Sequence, residues 1–343
     1  MSNISVNTIT DASGGSTASI NGLTPQASNM QPFNRIINGA MTIDQRNAGA
    51  SSAFDGVAKY SIDRYQSVEI GNGAFTIQQV SDAPSGFTKS LKLTVTTAQS
   101  GTLNAVTQQN IEGANISDLA WGTASASPVT LSFWVKSSIT GTMSGVVQDS
   151  SLSISYPFTY AVSSANTWEQ KSVTIAGPTT GTWASDNSVG MTLRFTHGTT
   201  TTGASGAWAT ADYRGATGAT WVIENLNATW QITGVQLEAG STASSFAHEN
   251  YGDTLQKCQR YYQNNGLTST DRIYTFQYNI SYKGLQYSYF CPMRAVPTIT
   301  RTNGGNTITL DSVTNQKFFA YVASGASDGT PHYLHTVSFD AEL

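Results

Sequence analysis

From about Phe33 to Asn250 the chain is a series of short runs in which apolar and polar residues alternate. Leu91, Leu93 and Val95 share one face of the run from Ser90 to Thr96, and Val129, Leu131, Phe133 and Val135 share one face of the run from Val129 to Val135. The runs Lys171 to Ile175, Met191 to Thr196 and Trp230 to Glu238 follow the same rule. A period of two is the mark of a strand with one buried face. Gly234 interrupts the last run where a β-bulge is expected. No 3.6-residue period occurs in this stretch, and Gly, Ser, Thr and Asn separate the runs. The pattern predicts an antiparallel sandwich or jelly roll.

A single helix is expected just beyond it. Asp253 is positioned to cap it with Gln256 three residues later, Leu255, Cys258, Tyr261 and Tyr262 form a stripe, and Gly266 supplies a stop. The later runs Arg272 to Tyr278, Leu285 to Phe290, Thr298 to Thr300, Thr307 to Leu310, Lys317 to Tyr321 and Tyr333 to Val337 predict a small antiparallel β-domain, with Asn303-Gly304-Gly305-Asn306 as a hairpin between two of them. The fold class is therefore all-β: a sandwich, one helix and a small β-domain. All seven tryptophans lie between Trp121 and Trp230, and most of the fifteen tyrosines lie from Tyr251 onward. These shifts predict three segments: 1–32 extended, 33–250 the jelly roll, and 251–343 the helix with its small β-domain. Met1 to Gln31 has one charge, Asp11, and no aromatic residue. Such a segment cannot bury much alone and is expected to order on a partner or to fray.

Composition then removes function classes. Charged residues make up 11% of the 343 residues, against about 25% in an ordinary soluble protein. With 17 Lys+Arg and a net charge of −4, tracking of a nucleic-acid backbone is not expected. Hydrophobic residues at 39% and aromatics at 10% suffice for a core, so disorder is excluded as well. No apolar run is long enough for a membrane helix, and the first residues lack the basic and apolar regions of a signal peptide. Two cysteines, Cys258 and Cys291, rule out a disulfide scaffold and read as buried thiols.

The catalytic signatures are missing: no Gly-x-Ser-x-Gly elbow, no phosphate loop, and no His-x-x-x-His pair among His197, His248, His332 and His335. Glycoside hydrolysis needs two facing carboxylates; 21 acidic residues leave that open, but no long repeat suggests a parallel β-helix scaffold. Aromatic placement is more informative. If Leu131 and Phe133 face the core, Trp134 and Lys136 face outward, as Arg194 does between Leu193 and Phe195. An outward indole beside a cation and hydroxyls suits stacking on a pyranose; a loop or second protomer covering Trp134 would fit equally. Trp183, Trp208 and Tyr213 lie in Gly/Thr/Ala-rich stretches read as loops, where each either contacts a ligand or pins its own loop.

Several separated motifs resemble tail-fibre and related virion proteins of tailed bacteriophages. They are Phe33-Asn34-Arg35-Ile36-Ile37-Asn38-Gly39-Ala40-Met41, then Tyr60-Ser61-Ile62-Asp63-Arg64-Tyr65, then Ile232-Thr233-Gly234-Val235-Gln236-Leu237-Glu238, and finally Cys258-Gln259-Arg260-Tyr261-Tyr262 with Pro292 to Thr300. The stretch from Ile9 to Gly22 is similar to a virion-attachment peptide. Asn38-Gly39 and Phe133-Trp134-Val135-Lys136 also resemble jelly-roll carbohydrate-binding modules. Many of those hold a structural calcium, but Met41-Thr42 and Thr233-Gly234 stand at the corresponding places, with only Asp44 and Glu238 nearby. No metal and no cofactor are therefore expected. Asp63 and Arg64 are expected to form a buried pair closing one end of the sandwich.

The resemblance implies a non-enzymatic tail fibre assembled in the host cytoplasm and carried in the virion tail. It would attach to other virion proteins through residues 1–32, form a homotrimer, and bind host-surface polysaccharide through Trp134, Lys136, Arg194, Trp183, Trp208 and Tyr213. Neither nucleic acid nor membrane insertion enters this picture. A structural virion protein, a capsid decoration or tail scaffold that binds other virion proteins, is the alternative, and a depolymerase is a third.

Overall fold

The computed structural model describes residues 34–343 apart from 55, 102–103, 265–272, 275, 280–281, 290, 305–308 and 324–332. The expected attachment segment 1–32, the Gly266 stop and His332 lie outside the described residues. In chain order the elements are β1 (Ser52–Phe54), β2 (Lys59–Ile62), β3 (Tyr65–Ile70), β4 (Ala74–Val80), β5 (Ser90–Thr97), β6 (Asn104–Glu112), β7 (Val129–Ser137), β8 (Gly141–Gln148), β9 (Ser155–Val162), β10 (Glu169–Ile175), β11 (Val189–Thr199), β12 (Thr202–Gly203), β13 (Gly215–Ala216) and β14 (Thr229–Ala239). Then come α1 (Tyr251–Gln259), β15 (Tyr262–Asn264), β16 (Ile273–Tyr274), β17 (Phe276–Asn279), β18 (Tyr282–Ser288), β19 (Thr298–Gly304), β20 (Thr309–Asp311), β21 (Lys317–Ala323) and β22 (Tyr333–Asp340).

Two six-stranded antiparallel sheets face each other, ordered β1-β4-β5-β14-β7-β10 and β2-β3-β6-β11-β8-β9. From β5 onward the chain passes repeatedly from one sheet to the other, so that sequence neighbours face each other across the core. This is a jelly-roll sandwich. Leu91, Leu93, Val95, Leu131, Phe133, Val135, Ile232 and Trp230 on the first sheet meet Met143, Phe158, Tyr160, Leu193 and Phe195 on the second, all buried. Each large apolar side chain contributes about 1.5–3 kcal/mol by leaving water. Gly234 is at φ +63° beside the register shift between Thr233 and Gln236, which is the expected bulge. The opening segment straps β14: Arg35 N–H donates to Leu237 O at 3.0 Å and Val235 N–H to Gly39 O at 3.0 Å. A Cβ on Gly39 would collide with the Val235 carbonyl. Asn38, at φ +60°, bonds Ile43 through both ends of its amide and Asp63 O at 3.0 Å. The Asn-Gly motif is thus a turn that lets the strap lie flat.

The second sheet is buried on both faces. All residues of β11 after Val189 are buried, as are eight of the nine in β6. Part of its core is polar. His197 Nε2 lies 3.0 Å from Thr107 Oγ1, which meets Ser67 Oγ at 3.0 Å, and the His197 ring packs 4.6 Å from Trp230.

Beyond the sandwich, α1 begins at Asn250, which has extended backbone. Asp253 is in the first turn and is not the cap, a correction to the expectation: the chain turns helical three residues earlier. Thr254, Cys258 and Tyr261 form the buried stripe, and the helix ends at Gln259 because Tyr262 enters β15. Two four-stranded sheets follow, β15-β22-β16 with β19 on β22, and β17-β18-β21-β20. The expected hairpin at Asn303 to Asn306 falls partly outside the described residues, and the runs flanking it do not pair: β19 joins β22 and β20 joins β21. The run from Arg272 to Tyr278 also divides, β16 pairing β22 and β17 pairing β18.

Asp63 and Arg64 are both buried but do not pair with each other, a second correction. Arg64 is at φ +72° in the turn between β2 and β3, and the reversal sends the two side chains to different partners. Arg64 is ion-paired with Glu342, and its guanidinium stacks 3.4 Å from the Tyr261 ring. Asp63 accepts from Gln45 Nε2 at 2.7 Å and lies 3.8 Å from Arg46 Nε. Burial pushes its carboxyl up to about 6, against the pull of Gln45 and Arg46. Arg46 in turn reaches Asp340 and Glu342, each at 3.1 Å, and lies 3.7 Å over the Tyr262 ring. This seam joins the last residues of the chain to the sandwich.

Two outcomes follow. Arg64→Ala leaves a hole beside Tyr261 and leaves Glu342 with Arg46 as its remaining partner, and is expected to cost about 3 kcal/mol in urea unfolding, the low end for breaking a buried pair; a cost below 1 kcal/mol would remove the seam's structural role. Burial pushes His197 down to about 3 from 6.5. The depressed value means its contribution is present above 6.5 and lost as pH falls toward 3. Wild type should therefore lose about 1.4 kcal/mol per pH unit in that window relative to His197→Gln, and parallel stability curves would contradict it.

Candidate functional site

The outer face of the first sheet carries an aromatic group with a neutral surround. Trp134, on β7, stands opposite Gln170 of β10 and Thr233 of β14 and is half-buried. Its indole packs over Gly234, where a Cβ would sit 3.1 Å from Trp134 Cδ1 and 2.7 Å from the Phe87 ring. Phe87 continues to Phe246 at 5.1 Å and to His248 at 5.2 Å. Two residues along β7, Lys136 is ion-paired with Asp82, and its ammonium lies 5.5 Å from the Trp168 ring. Trp168 Nε1 donates to Asp82 Oδ1 at 3.3 Å. The hydrogen bond from Lys136 holds the Asp82 carboxyl below its ordinary range. Trp134 and Trp168 are thus half-exposed indoles set among amides and hydroxyls, with the Lys136 cation beside Trp168 already neutralised by Asp82. Trp168 was not among the sequence candidates; it falls in a loop before β10, and only the fold brings it beside Lys136.

Arg194 is on the other sheet. It occupies the outer face of β11 between Gln108 of β6 and Val146 of β8. Gln108 Nε2 donates to Gln66 Oε1 at 2.8 Å. Arg194 is only 7% exposed, and its Nε and Nη1 are buried without a hydrogen-bond partner. Burial, then the neighbouring Arg214, pushes its pKa down to about 10, opposed by Asp212. Asp212 accepts from Arg214 Nη2 at 2.9 Å and from Gln148 Nε2 at 2.8 Å. Tyr213, half-buried between these two, lies against Gly203.

Trp183 and Trp208 form a third group with Trp121. The three rings meet edge to face at 4.8, 5.5 and 5.7 Å, and Tyr156 lies 5.2 Å from Trp208. Trp183 Nε1 donates to Thr180 O and Trp208 Nε1 to Ala176 O. These indoles are spent on one another, Trp183 also pinning its own loop and Trp208 tying its segment to the chain just beyond β10. The six sequence candidates therefore divide among three places: Trp134 with Lys136, Arg194 with Tyr213, and Trp183 with Trp208.

Asp44 and Glu238 hold turns. Asp44 accepts from the Asn47 and Gly49 amides at 2.9 and 2.7 Å, and Glu238 accepts from Ser244 N and Oγ at 2.8 and 2.7 Å. Among the described residues no three His, Cys, Asp or Glu side chains gather to hold a metal ion. A cavity of about 120 Å³ opens elsewhere, between the strap and the segment before α1, lined by Asn34, Asn38, Phe246, His248, Glu249 and Tyr251 among others.

No family model matches the chain, and no curated protein matches it. Solved structures similar to it include a candidate sugar-binding protein from Bacteroides thetaiotaomicron, at 10% identity over 61% of this chain and 100% of that one, with a TM-score of 0.33. A structure described as a family 4 carbohydrate-binding module has 12% identity over 59% and 98%, with a TM-score of 0.29. A family 11 carbohydrate-binding module from Clostridium thermocellum, in complex with a mixed-linked tetrasaccharide, has 11% identity over 59% and 100%, with a TM-score of 0.28. At these values the likeness carries no argument about a ligand, and the fold stands on its own strand order.

Trp208→Ala opens the three-indole cluster and is expected to cost about 2–3 kcal/mol of stability. Chemical denaturation checks it, and a change within 0.5 kcal/mol, on the order of an ordinary surface substitution, would free Trp208 for a ligand.

Proposed function

We propose that this chain is a non-catalytic glycan-binding protein of a tailed-bacteriophage virion, a tail fibre that contacts host-surface polysaccharide through its sandwich. The observation that carries the glycan reading is the pair of half-exposed indoles, Trp134 and Trp168, on an outer sheet face where Thr, Ser and Gln predominate around Lys92, Lys136 and Glu238. An indole covers the apolar C–H face of a pyranose, and neighbouring amides and hydroxyls take its hydroxyl groups. The absence of catalysis from the proposal is supported by the engagement of nearby acids. Asp82 is held by Lys136 and Trp168, Asp212 by Arg214 and Gln148, Asp149 by Ser151 and Ser153, and Glu238 by Ser244. Glycoside hydrolysis would need two carboxyl groups free to face one bond. The virion setting rests on the motif resemblance at both ends of the sandwich, and attachment through residues 1–32 and trimer formation belong to the same reading.

The test is binding of the full-length chain to host cells and to isolated surface polysaccharide. Wild type should bind both without shortening the polymer, and Trp134→Ala should weaken binding about tenfold, the loss of one stacking contact. Unchanged host adsorption by Trp134→Ala, with no polysaccharide bound by wild type, would favour a structural virion component, and chain shortening would favour a depolymerase. Electron microscopy of the particle locates the protein: a projecting tip agrees with the proposal, a capsid or collar position does not.

A further inference from the structure

The bulge at Gly234 brings two features of the first sheet together. On one side the Trp134 indole and the Phe87 ring close over the bulged glycine. Phe87 is set there by the turn Pro84-Ser85-Gly86-Phe87, in which Phe87 N–H donates to Pro84 O at 3.0 Å and Gly86 takes φ +90°. From Phe87 the aromatic surface runs on to Phe246 and His248, whose rings are 4.9 Å apart. On the other side the strap follows the edge of β14, held by Asn34 Nδ2 to Val235 O at 3.0 Å and by Leu237 N–H to Asn34 Oδ1 at 3.1 Å. The cavity of about 120 Å³ lies where the two sides meet, so that Phe246 and His248 are at once the end of the aromatic run and a wall of the cavity. Its other polar groups are uncommitted. Thr42 Oγ1, the Tyr251 hydroxyl and the His248 imidazole have no hydrogen-bond partner among the described residues, and Tyr251 is 63% exposed at the rim.

We infer that this cavity is the terminal subsite of the glycan site and holds one neutral pyranose, the end of a chain whose preceding residues lie on Phe87 and Trp134. This rests on the glycan-binding reading and names the class of sugar at the chain end. Ile36, Ala40 and Phe246 give the cavity an apolar wall for the C–H face of the ring, while Thr42, Tyr251 and His248 supply donors and acceptors for its hydroxyls. The charged group in the lining is Glu249. Its ion-pair partner Lys257 lines the adjoining depression and not the cavity. A carboxylate accepts hydrogen bonds from sugar hydroxyls. It also repels the carboxylate of an acidic sugar, and no Lys or Arg lines the cavity to offset that. The strap walls the cavity on the side away from Phe87, so a chain entering over the aromatic run ends there.

The experiment titrates the full-length chain with size-graded fragments of the isolated host polysaccharide. Affinity should rise about tenfold in one step, at the length that first reaches from Trp134 into the cavity. Ala247→Trp, which fills the cavity from its wall, and His248→Ala, at an exposed position, should each remove the step and leave the affinity of shorter fragments at the wild-type value. Trp134→Ala should weaken fragments of every length. Oxidising the primary hydroxyls of the same fragments to carboxylates should also remove the step in wild type, and a step that survives oxidation would overturn the assignment of a neutral sugar. A smooth rise with length, or a step that persists in both cavity variants while Trp134→Ala still weakens binding, would make the cavity a packing gap and leave the glycan reading standing. Binding of no fragment by wild type would remove both. Should Ala247→Trp melt well below wild type, His248→Ala and Tyr251→Ala, both at exposed positions, decide the matter by the same step.

Discussion

The structure turns on how a chain with few charges disposes of those it buries. Arg46 and Arg64 lie under the second sheet's end, and neither can stay charged there without carboxylates. Those carboxylates come from Asp63 and, across nearly the whole sequence, from Asp340 and Glu342. Burial opposes the charge on both arginines, and the carboxylates led by Glu342 outweigh it, so that both remain firmly protonated. The tyrosine rings of Tyr261 and Tyr262 close over the guanidinium groups. One electrostatic requirement thereby fixes where the end of the chain must lie, over the outer face of the second sheet at β2, β3 and β6, while the segment from Thr201 to Ala216 covers the same face over β8, β9 and β11.

That covering explains which parts of the fold were legible in the sequence. β5, β7, β10, β11 and β14 announced themselves by alternation, and four of these five belong to the first sheet, whose outer face is open. β3, β6, β8 and β9 did not. Their residues are buried on both sides, so β6 reads Asn-Ala-Val-Thr-Gln-Gln-Asn-Ile-Glu with polar residues facing inward and outward alike. Thr107 and Gln109 face the interior, where hydrogen bonds to His197 and to the Ile37 backbone satisfy them. Periodicity reports contrast between faces, and where there is no contrast there is no signal. The bulge at Gly234 was legible because only a residue tolerating φ +63° under Trp134 fits there. The partner of Arg64 was not, since no local pattern links it to Glu342.

The candidate site was legible in part for the same reason. Alternation placed Trp134 and Arg194 on outer faces, and both lie there. It could not tell one sheet from the other, so residues near in pattern proved to be on opposite sides of the sandwich. Nor could it weigh Trp183 and Trp208, whose loops converge with Trp121 only in three dimensions.

On the proposed reading the open outer face of the first sheet carries the recognition. Stacking on Trp134 and Trp168 is tolerant: most pyranoses offer an apolar face, so it gives affinity with little discrimination. A net charge of −4 spread over 343 residues supplies no strong field to select an acidic polymer at a distance, and salt would screen it beyond about 8–10 Å. Discrimination must then come from contact. On the first sheet the groups beside Trp134, Gln170 first among them, are placed to tell one arrangement of sugar hydroxyls from another. Selectivity of that kind is a penalty on the wrong ligand as much as a reward for the right one, because a sugar that leaves those amides and hydroxyls unanswered loses their hydrogen bonds.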